Sequence, residues 1–421
     1  MKQPKRIAML SMHTSPVARL GGKETGGMNV YVRELSRALA ARGVAVDIFT
    51  RAADAQAPDM DTTSVGFPNA RVINITAGPR APVSKHQLVE YVGAFAQGIY
   101  DFAAREKLNY DVWHAHYWLS GATAQCLLAK DLRAKGMRAP IVQMFHTLGA
   151  MKNRVARTAT EAETDTRILT ERELMRQVAR VVASTPRDME QMLQLYDAPR
   201  DKIVIIPPGV DTDVFHPIPS QHARDLIGKY DEKTVLFVGR IDPVKGLDTW
   251  FRAMKLVVDD DPALRQHMCV CLIGGDLDDD MDPDSELARL VELKEELGIG
   301  DIVTFLGSRA QAALPFYYSS AAAVVMPSRY ESFGLAALEA MACGAPVVAS
   351  DVGGLSFLVR DGVTGFLVPE GNAEKFAEKI SLLLHEPKLR AEMGRRGVAE
   401  AQEYAWSNIA ERMVELYQSI L

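Results

Sequence analysis

The sequence predicts an α/β protein made of two doubly wound parallel sheets in series, and three observations predict it. Short apolar runs of strand length alternate with segments of helical period along most of the chain. With 421 residues, 48% hydrophobic and 24% charged, there is room for two globular domains of ordinary size. Between two such series lies Pro207-Pro-Gly-Val-Asp-Thr-Asp-Val-Phe-His-Pro217, where proline and glycine forbid regular structure and no apolar period is visible.

Strand-like runs at 7–12, 44–49, 72–75, 112–113, 141–144, 181–183 and 203–206 make up the first series, with helical patterns between them. The second series runs through 235–238, 269–273, 303–305, 322–326, 347–349 and 366–368. Trp406 to Leu421 forms an amphipathic helix with Ile409, Met413, Leu416 and Tyr417 in one stripe. The expected boundaries are a first Rossmann-like domain over 1–208, joined by a terminal helix over 404–421, and a second over 218–403. There is no internal repeat.

A formal net charge of −6 argues against nucleic acid as the main partner, since phosphate neutralisation calls for a basic face. The apolar run near the start is too short for a signal-peptide core, and no stretch approaches the roughly 18 apolar residues of a membrane span. A cytoplasmic location without a membrane span is therefore expected. Cys126, Cys269, Cys271 and Cys343 lie in apolar segments and read as small core residues. The dense acidic run from Asp278 to Glu286 lacks calcium-loop spacing and reads as a solvated loop.

The densest chemistry lies in Pro327-Ser-Arg-Tyr-Glu-Ser-Phe-Gly-Leu-Ala-Ala-Leu-Glu339, where a buried strand hands over to a helix. The first N–H groups of a helix have no internal partner, so Ser332, Phe333, Gly334 and Leu335 can present donors to a phosphate or a polar sugar. Glu331 precedes them and Glu339 follows eight residues on, about two helical turns, so both carboxylates can face one ligand. Carboxylates repel phosphate, so these two should accept hydrogen bonds from hydroxyls of sugar and ribose. Taken singly, each is also an ordinary exposed helix glutamate.

After the first strand comes His13-Thr-Ser-Pro16, then a glycine-rich loop ending Gly26-Gly27-Met-Asn29. Neither a dinucleotide fingerprint nor a Walker lysine fits it, which removes the main support for nicotinamide and P-loop readings. Gly26 and Gly27 either let backbone approach a reacting sugar or merely permit a tight turn. Phe237-Val-Gly-Arg240-Ile-Asp-Pro-Val-Lys245-Gly places two cations just past a strand end, as a diphosphate leaving group requires. The first half adds Lys85, Tyr117 in His114-Ala-His-Tyr-Trp-Leu-Ser, and His146-Thr147. Arg167 stands four residues before Glu171, a spacing that also permits a plain helical ion pair. His114 and His116 invite a metal reading, but no Glu or Cys joins them nearby, and no metal site is expected.

Glu-x-Phe-Gly-x4-Glu, followed by Ala-x-Gly-x-Pro-Val-Val-Ala and Gly353-Gly354, resembles the donor-site signature of the retaining glycosyltransferases of family 4, which have the GT-B fold. Within that family the chain is most similar to the enzymes of mycothiol biosynthesis that transfer N-acetylglucosamine to inositol phosphate. His13-Thr-Ser-Pro, Gly-Gly-Met-Asn-Val-Tyr-Val, Val-Ile-Asn-Ile-x-Ala-Gly-Pro, His-Tyr-Trp-Leu-Ser-Gly and His-Thr-Leu-x-Ala-x-Lys-Asn carry the similarity over most of both halves. It departs at Val17-Ala-Arg19 and Leu20-Gly-Gly-Lys23, where that pattern is uncharged and opens with proline. Sucrose-phosphate synthases share the fold and a related donor signature.

The resemblance implies two Rossmann-like domains facing a cleft, linked through Pro207 to Pro217 and by a final helix that returns to the first domain. It implies a hexosyltransferase that moves a hexose or N-acetylhexosamine from a nucleoside-diphosphate sugar, UDP by preference, to a phosphorylated polyol or sugar. Inositol phosphate is the first acceptor reading and fructose 6-phosphate the second. Arg240 and Lys245 would hold the diphosphate, Glu331 the sugar hydroxyls, Glu339 the ribose, and Ser332 to Leu335 the rest of the donor. Gly27 and His146 would lie beside the reacting carbon. The acceptor phosphate would take Lys85, Tyr117, Thr147 and Arg167, and the first loop, with His13 and Asn29, the polyol.

The resemblance also implies retention of anomeric configuration; as no carboxylate is an evident nucleophile, front-face transfer is expected, a donor phosphate oxygen taking the acceptor proton. No cofactor is required beyond the co-substrate, and a second copy of the chain is an allowed partner. A sugar-nucleotide epimerase of the same fold is the competing class, told apart because it releases no free nucleoside diphosphate when acceptor is added. A silent binding subunit is disfavoured by intact Arg240, Lys245 and Glu331.

Overall fold

The strands of the first half are buried on both faces, and their residues alternate between two cores. In β1 (Arg6–Leu10), Ala8 and Leu10 join one core while Ile7 and Met9 join the other. The structure is a computed structural model that describes residues 3–18, 25–84, 86–128, 139–156, 158, 161–228, 233–275 and 285–421. By their contacts the described residues form two compact units. The first comprises residues up to Ala18, Gly27–Gly209 and Trp406–Leu421; the second comprises residues 25–26 and Val210–Ala405.

In the first unit, β2 (Ala45–Arg51), β3 (Met60–Asp61), β4 (Ala70–Ile75), β5 (Val112–His116), β6 (Ile141–Met144), β7 (Arg180–Ala183) and β8 (Ile203–Ile205) join β1 in an eight-stranded sheet, in the order β3-β4-β2-β1-β5-β6-β7-β8. Every pairing is parallel except that of β3 on β4, a two-residue antiparallel addition at the edge. Phe95, Ile99 and Phe102 of helix Val92–Arg105 and Leu174 of helix Asp165–Gln177 cover one face. Helix Gly27–Ala41 covers the other through Val32, Leu35 and Leu39, beside helix Trp406–Gln418 with Ile409, Met413 and Tyr417. The buried Asp47 is satisfied by Arg6 at 2.9 Å, Arg71 at 2.7 Å and the Tyr110 hydroxyl at 2.7 Å, so its charge is compensated within the sheet.

In the second unit, β9 (Lys233–Val238), β10 (Met268–Ile273), β11 (Val303–Gly307), β12 (Ala321–Met326), β13 (Val347–Ser350) and β14 (Gly365–Val368) form an all-parallel sheet in the order β11-β10-β9-β12-β13-β14. Val235 and Phe237 face one core, Leu236 and Val238 the other. Segments near its two limits run side by side, with the Val210 N–H donating to Tyr404 O at 2.8 Å.

Two details differ from the sequence reading. The helix after β12 begins at Leu335, not at Ser332, because Gly334 caps it in the left-handed region at φ 102°. An antiparallel edge strand, Met60–Asp61, joins β4 where no apolar run marks one, whereas β5 runs on through His114 and His116, both fully buried, as their alternation along the strand end implies.

Candidate active site

Open parallel sheets bind ligands where the order of strands reverses, beyond their carboxyl ends. In the second unit that point lies between β9 and β12. The turn after β9 carries Arg240 and Lys245. Asp242 caps its short 3-10 helix by accepting from the Val244 N–H at 3.0 Å, and Gly246 closes it at φ 64°. A Cβ on Gly246 would come 2.2 Å from Pro327 O, so only glycine lets this turn seat against the segment after β12. The Arg329 N–H donates to Val244 O at 2.8 Å, and its guanidinium reaches Asp248 at 3.2 Å. These bonds hold Lys245 opposite Glu331, Nζ to Oε2 at 2.6 Å, both side chains 15% exposed. Arg240 is partly exposed, with Asp242 at 3.7 Å.

Gly353 and Gly354 support the same segment from beyond β13. The Gly354 N–H donates to Glu331 O at 2.8 Å, and a Cβ on Gly353 would come 1.9 Å from that oxygen. Ser332 is partly exposed, Phe333 and Gly334 are buried, and Leu335 opens the helix. Glu339, on that helix, is buried and accepts from the Tyr318 hydroxyl at 2.9 Å. Burial, then the nearby Glu339 charge, raises the Tyr318 pKa, so it stays a donor. Gly26 groups with this unit, the Arg240 side chain being 3.8 Å from where its Cβ would stand.

In the first unit the reversal falls between β1 and β5. His13, after β1, packs its ring on Tyr117, after β5, with centroids 4.4 Å apart. Gly27 is exposed at the head of its helix. Asn29 is buried and donates to Thr14 Oγ1 at 2.8 Å and Ser15 O at 2.7 Å, bracing the turn after β1. Tyr117 and His146 stand at the ends of neighbouring strands with φ of 72° and 62°, conformations that non-glycine residues seldom hold. Such strain persists where the surroundings over-determine it, often at functional sites.

His146 Nε2 meets His116 Nδ1 at 3.0 Å, and His114 Nδ1 meets the Tyr417 hydroxyl at 2.7 Å. Burial pushes His146 down to about 3, helped by repulsion from His114 and His13. Burial does the same to His114, also to about 3, and lowers His116. All three are neutral at physiological pH.

Arg167 is fully buried and gathers Tyr117 and Thr147. Its Nη1 donates to the Tyr117 hydroxyl at 3.0 Å, its Nη2 to Thr147 O at 2.7 Å and Oγ1 at 3.0 Å, and its guanidinium lies 4.7 Å over the Tyr117 ring. The helical pairing with Glu171 is also present, Nε to Oε1 at 2.7 Å. Burial alone would lower the Arg167 pKa, but Tyr117, Glu171 and Glu163 outweigh it and the net shift is upward. Lys85 lies outside the described residues, as do most of the first loop and most of the acidic run. Sequence reasoning missed Lys152 and Glu163, which join this cluster. Lys152 stood in a quoted motif, whereas nothing marked Glu163. A cavity beside them is lined by His86, Tyr117, Trp118, Glu163 and Thr164.

Among the described residues, no group of three His, Cys, Asp or Glu could hold a metal ion, and no helix is long and apolar enough to cross a membrane.

Two largely parallel sheets, one in each unit and each with polar side chains at its strand-order reversal, make up the GT-B architecture. The model for glycosyl transferases group 1 matches residues 221–399, and that for glycosyltransferase family 4 matches 25–214. A D-inositol 3-phosphate glycosyltransferase of Kribbella flavida is 39% identical over 99% of this chain and 96% of its own. One of Corynebacterium aurimucosum is 40% identical over 98% and 95%. The solved sucrose-phosphate synthase of Thermosynechococcus elongatus superposes with a TM-score of 0.87 at 34% identity, covering 99% of this chain and 98% of its own. The chain belongs to the family 4 glycosyltransferases. It is an enzyme that transfers sugar.

Proposed function

We propose that the enzyme transfers a hexose or N-acetylhexosamine, with retention, from a nucleoside-diphosphate sugar, UDP by preference, to a phosphorylated polyol, inositol phosphate being the first choice. The observation that carries the acceptor is the gathering of Tyr117 and Thr147 on one guanidinium beside a second cation, Lys152. Cations and hydroxyls at one place suit a phosphate monoester, and arginine can grip two of its oxygens. Relatives named D-inositol 3-phosphate glycosyltransferase support inositol phosphate. The sucrose-phosphate synthase likeness supports a second reading, fructose 6-phosphate.

On this reading the donor binds the second unit. Arg240 and Lys245 take the diphosphate, whose charge grows as the glycosidic bond breaks, with the N–H groups from Ser332 to Leu335 beside them. Lys245 has three donor hydrogens and can keep Glu331 while it adds a phosphate oxygen. Glu331 accepts from sugar hydroxyls and Glu339 from the ribose. In the first unit Gly27 leaves room for the sugar, and His146, neutral, sets a hydrogen bond beside the reacting carbon. His13 and Asn29 shape the polyol end, and Lys85 adds a cation for the phosphate. A donor phosphate oxygen takes the acceptor proton, and no metal or other cofactor is needed.

The test is a screen of donors against acceptors read by release of free nucleoside diphosphate. Release is expected only when acceptor is present, and at least tenfold more efficiently with inositol phosphate or fructose 6-phosphate than with inositol or fructose, the scale of one charged hydrogen bond, about 1.5–3 kcal/mol. Equal efficiency on phosphorylated and plain acceptors would defeat the acceptor reading. Release without acceptor, or conversion of the donor to an epimer, would defeat transfer from such a donor.

A further inference from the structure

Every nitrogen of the Arg167 guanidinium is engaged. Nε holds Glu171, Nη2 holds Thr147 through two oxygens, and Nη1 is shared between the Tyr117 hydroxyl at 3.0 Å and Glu163 Oε1 at 3.0 Å. The same Glu163 oxygen takes Lys152 Nζ at 2.6 Å. Among the described residues here two cations and two carboxylates cancel, so an anion reaching Arg167 meets no open guanidinium nitrogen and no net positive charge from this cluster. Something must leave before a phosphate can bind.

The surroundings separate the two carboxylates. Glu171 is fully buried and doubly anchored, accepting from the Gly149 N–H at 3.0 Å and from the Tyr196 hydroxyl. Glu163 borders the cavity with Tyr117 and Trp118 and retains 7% exposure. Its main chain is pinned by Asn153, which accepts from the Glu163 N–H at 2.6 Å and donates to Glu163 O at 3.1 Å. The side chain can therefore turn away while the backbone stays, and no such path exists for Glu171.

We propose that Glu163 is a placeholder carboxylate: its oxygen stands on Lys152 and Arg167 where an oxygen of the acceptor's phosphate comes to rest, and the phosphate displaces it. This rests on the acceptor reading above. It makes Glu163 a specificity-determining residue. A singly charged ligand only exchanges one negative charge for another, whereas a phosphate monoester, carrying about −1.5 to −2 at pH 7, gains by the exchange. Displacement also keeps the two cations, Arg167 and Lys152, balanced by two negative groups between turnovers, Glu171 and then either Glu163 or the phosphate.

The experiment uses the full chain with saturating donor, and inorganic phosphate as a competitive inhibitor against the phosphorylated acceptor. Glu163→Gln keeps the shape and the Asn153 bonds but removes the charge; Glu163→Ala removes the side chain. Both are expected to lower the inhibition constant of inorganic phosphate and the acceptor KM by roughly tenfold, the scale of one charge-assisted contact, with the donor KM unmoved. A purely structural role would not tighten phosphate. An unchanged or raised phosphate constant in both variants overturns the proposal, including where a lowered melting midpoint shows that Glu163 serves the fold. Wild-type enzyme that uses plain and phosphorylated acceptors equally would overturn the acceptor reading itself, so the two failures are distinct.

Discussion

Lys245 is held in place before any ligand arrives. Its pairing with Glu331 at 2.6 Å, across a turn braced by Arg329, means that on the proposed reading a diphosphate would not have to meet the entropy of ordering a lysine chain. Lys245→Ala is therefore expected to lower turnover by roughly 10²- to 10³-fold, the scale of one preorganised contact to developing charge. Turnover within about threefold of wild type, in folded protein, would remove Lys245 from the mechanism.

The three buried histidines give a second residue-scale expectation. His114 and His146 are held near 3 and His116 is also lowered, whereas in the unfolded chain each takes up a proton near 6.5. Their stabilisation is complete above about pH 6.5 and is lost as pH falls toward 3. Asp188, raised by burial to about 6, acts in the opposite sense but is one group against three. Denaturant midpoints should fall clearly between pH 7.5 and 5, and a flat profile would mean that the histidines are not buried neutral. At this scale Lys245 was legible because glycines bracket it. Glu163 was not, since it lies before the helix that starts at Asp165, where helical spacing gives no guide to contact.

At the scale of elements, the site depends on turns that only glycine can make. Gly246→Ala forces a methyl within 2.2 Å of Pro327 O at φ 64° and should destabilise the second unit by at least about 1–3 kcal/mol, read as a lowered melting midpoint with weaker donor binding. An alanine variant as stable as wild type would show that the two segments are not seated as described. Most strands were legible because a parallel strand covered on both faces is a continuous apolar run. The edge strand Met60–Asp61 was not, for two partly polar residues carry no period. The left-handed Tyr117 and His146 were equally hidden, because nothing in an aromatic or a histidine announces a positive φ.

At the scale of the whole molecule, the proposed division of labour puts donor chemistry on one sheet and acceptor chemistry on the other. Two cations and a helix start then serve the diphosphate without a metal. Rates measured in chelator are expected to stay nearly those in buffer; a collapse restored by magnesium or manganese would overturn the metal-free reading and reopen the acidic run from Asp278 to Glu286.

The return of helix Trp406–Gln418 to the first unit sets the order in which the molecule can be made. Its Ile409, Met413 and Tyr417 are part of a core whose buried residues outside this helix lie between Ile7 and Ile206. At about 5–20 residues per second, a ribosome needs roughly 10–40 s to travel from Val210 to Leu421. During that interval the nascent first unit carries an uncovered apolar strip beside Tyr31 and His114, while the second unit, whose last strand ends at Val368, has all its strands before the final helix is made and can close first. Synthesis from the amino end therefore finishes the chain's first unit last, and the waiting strip is the surface on which a chaperone would act.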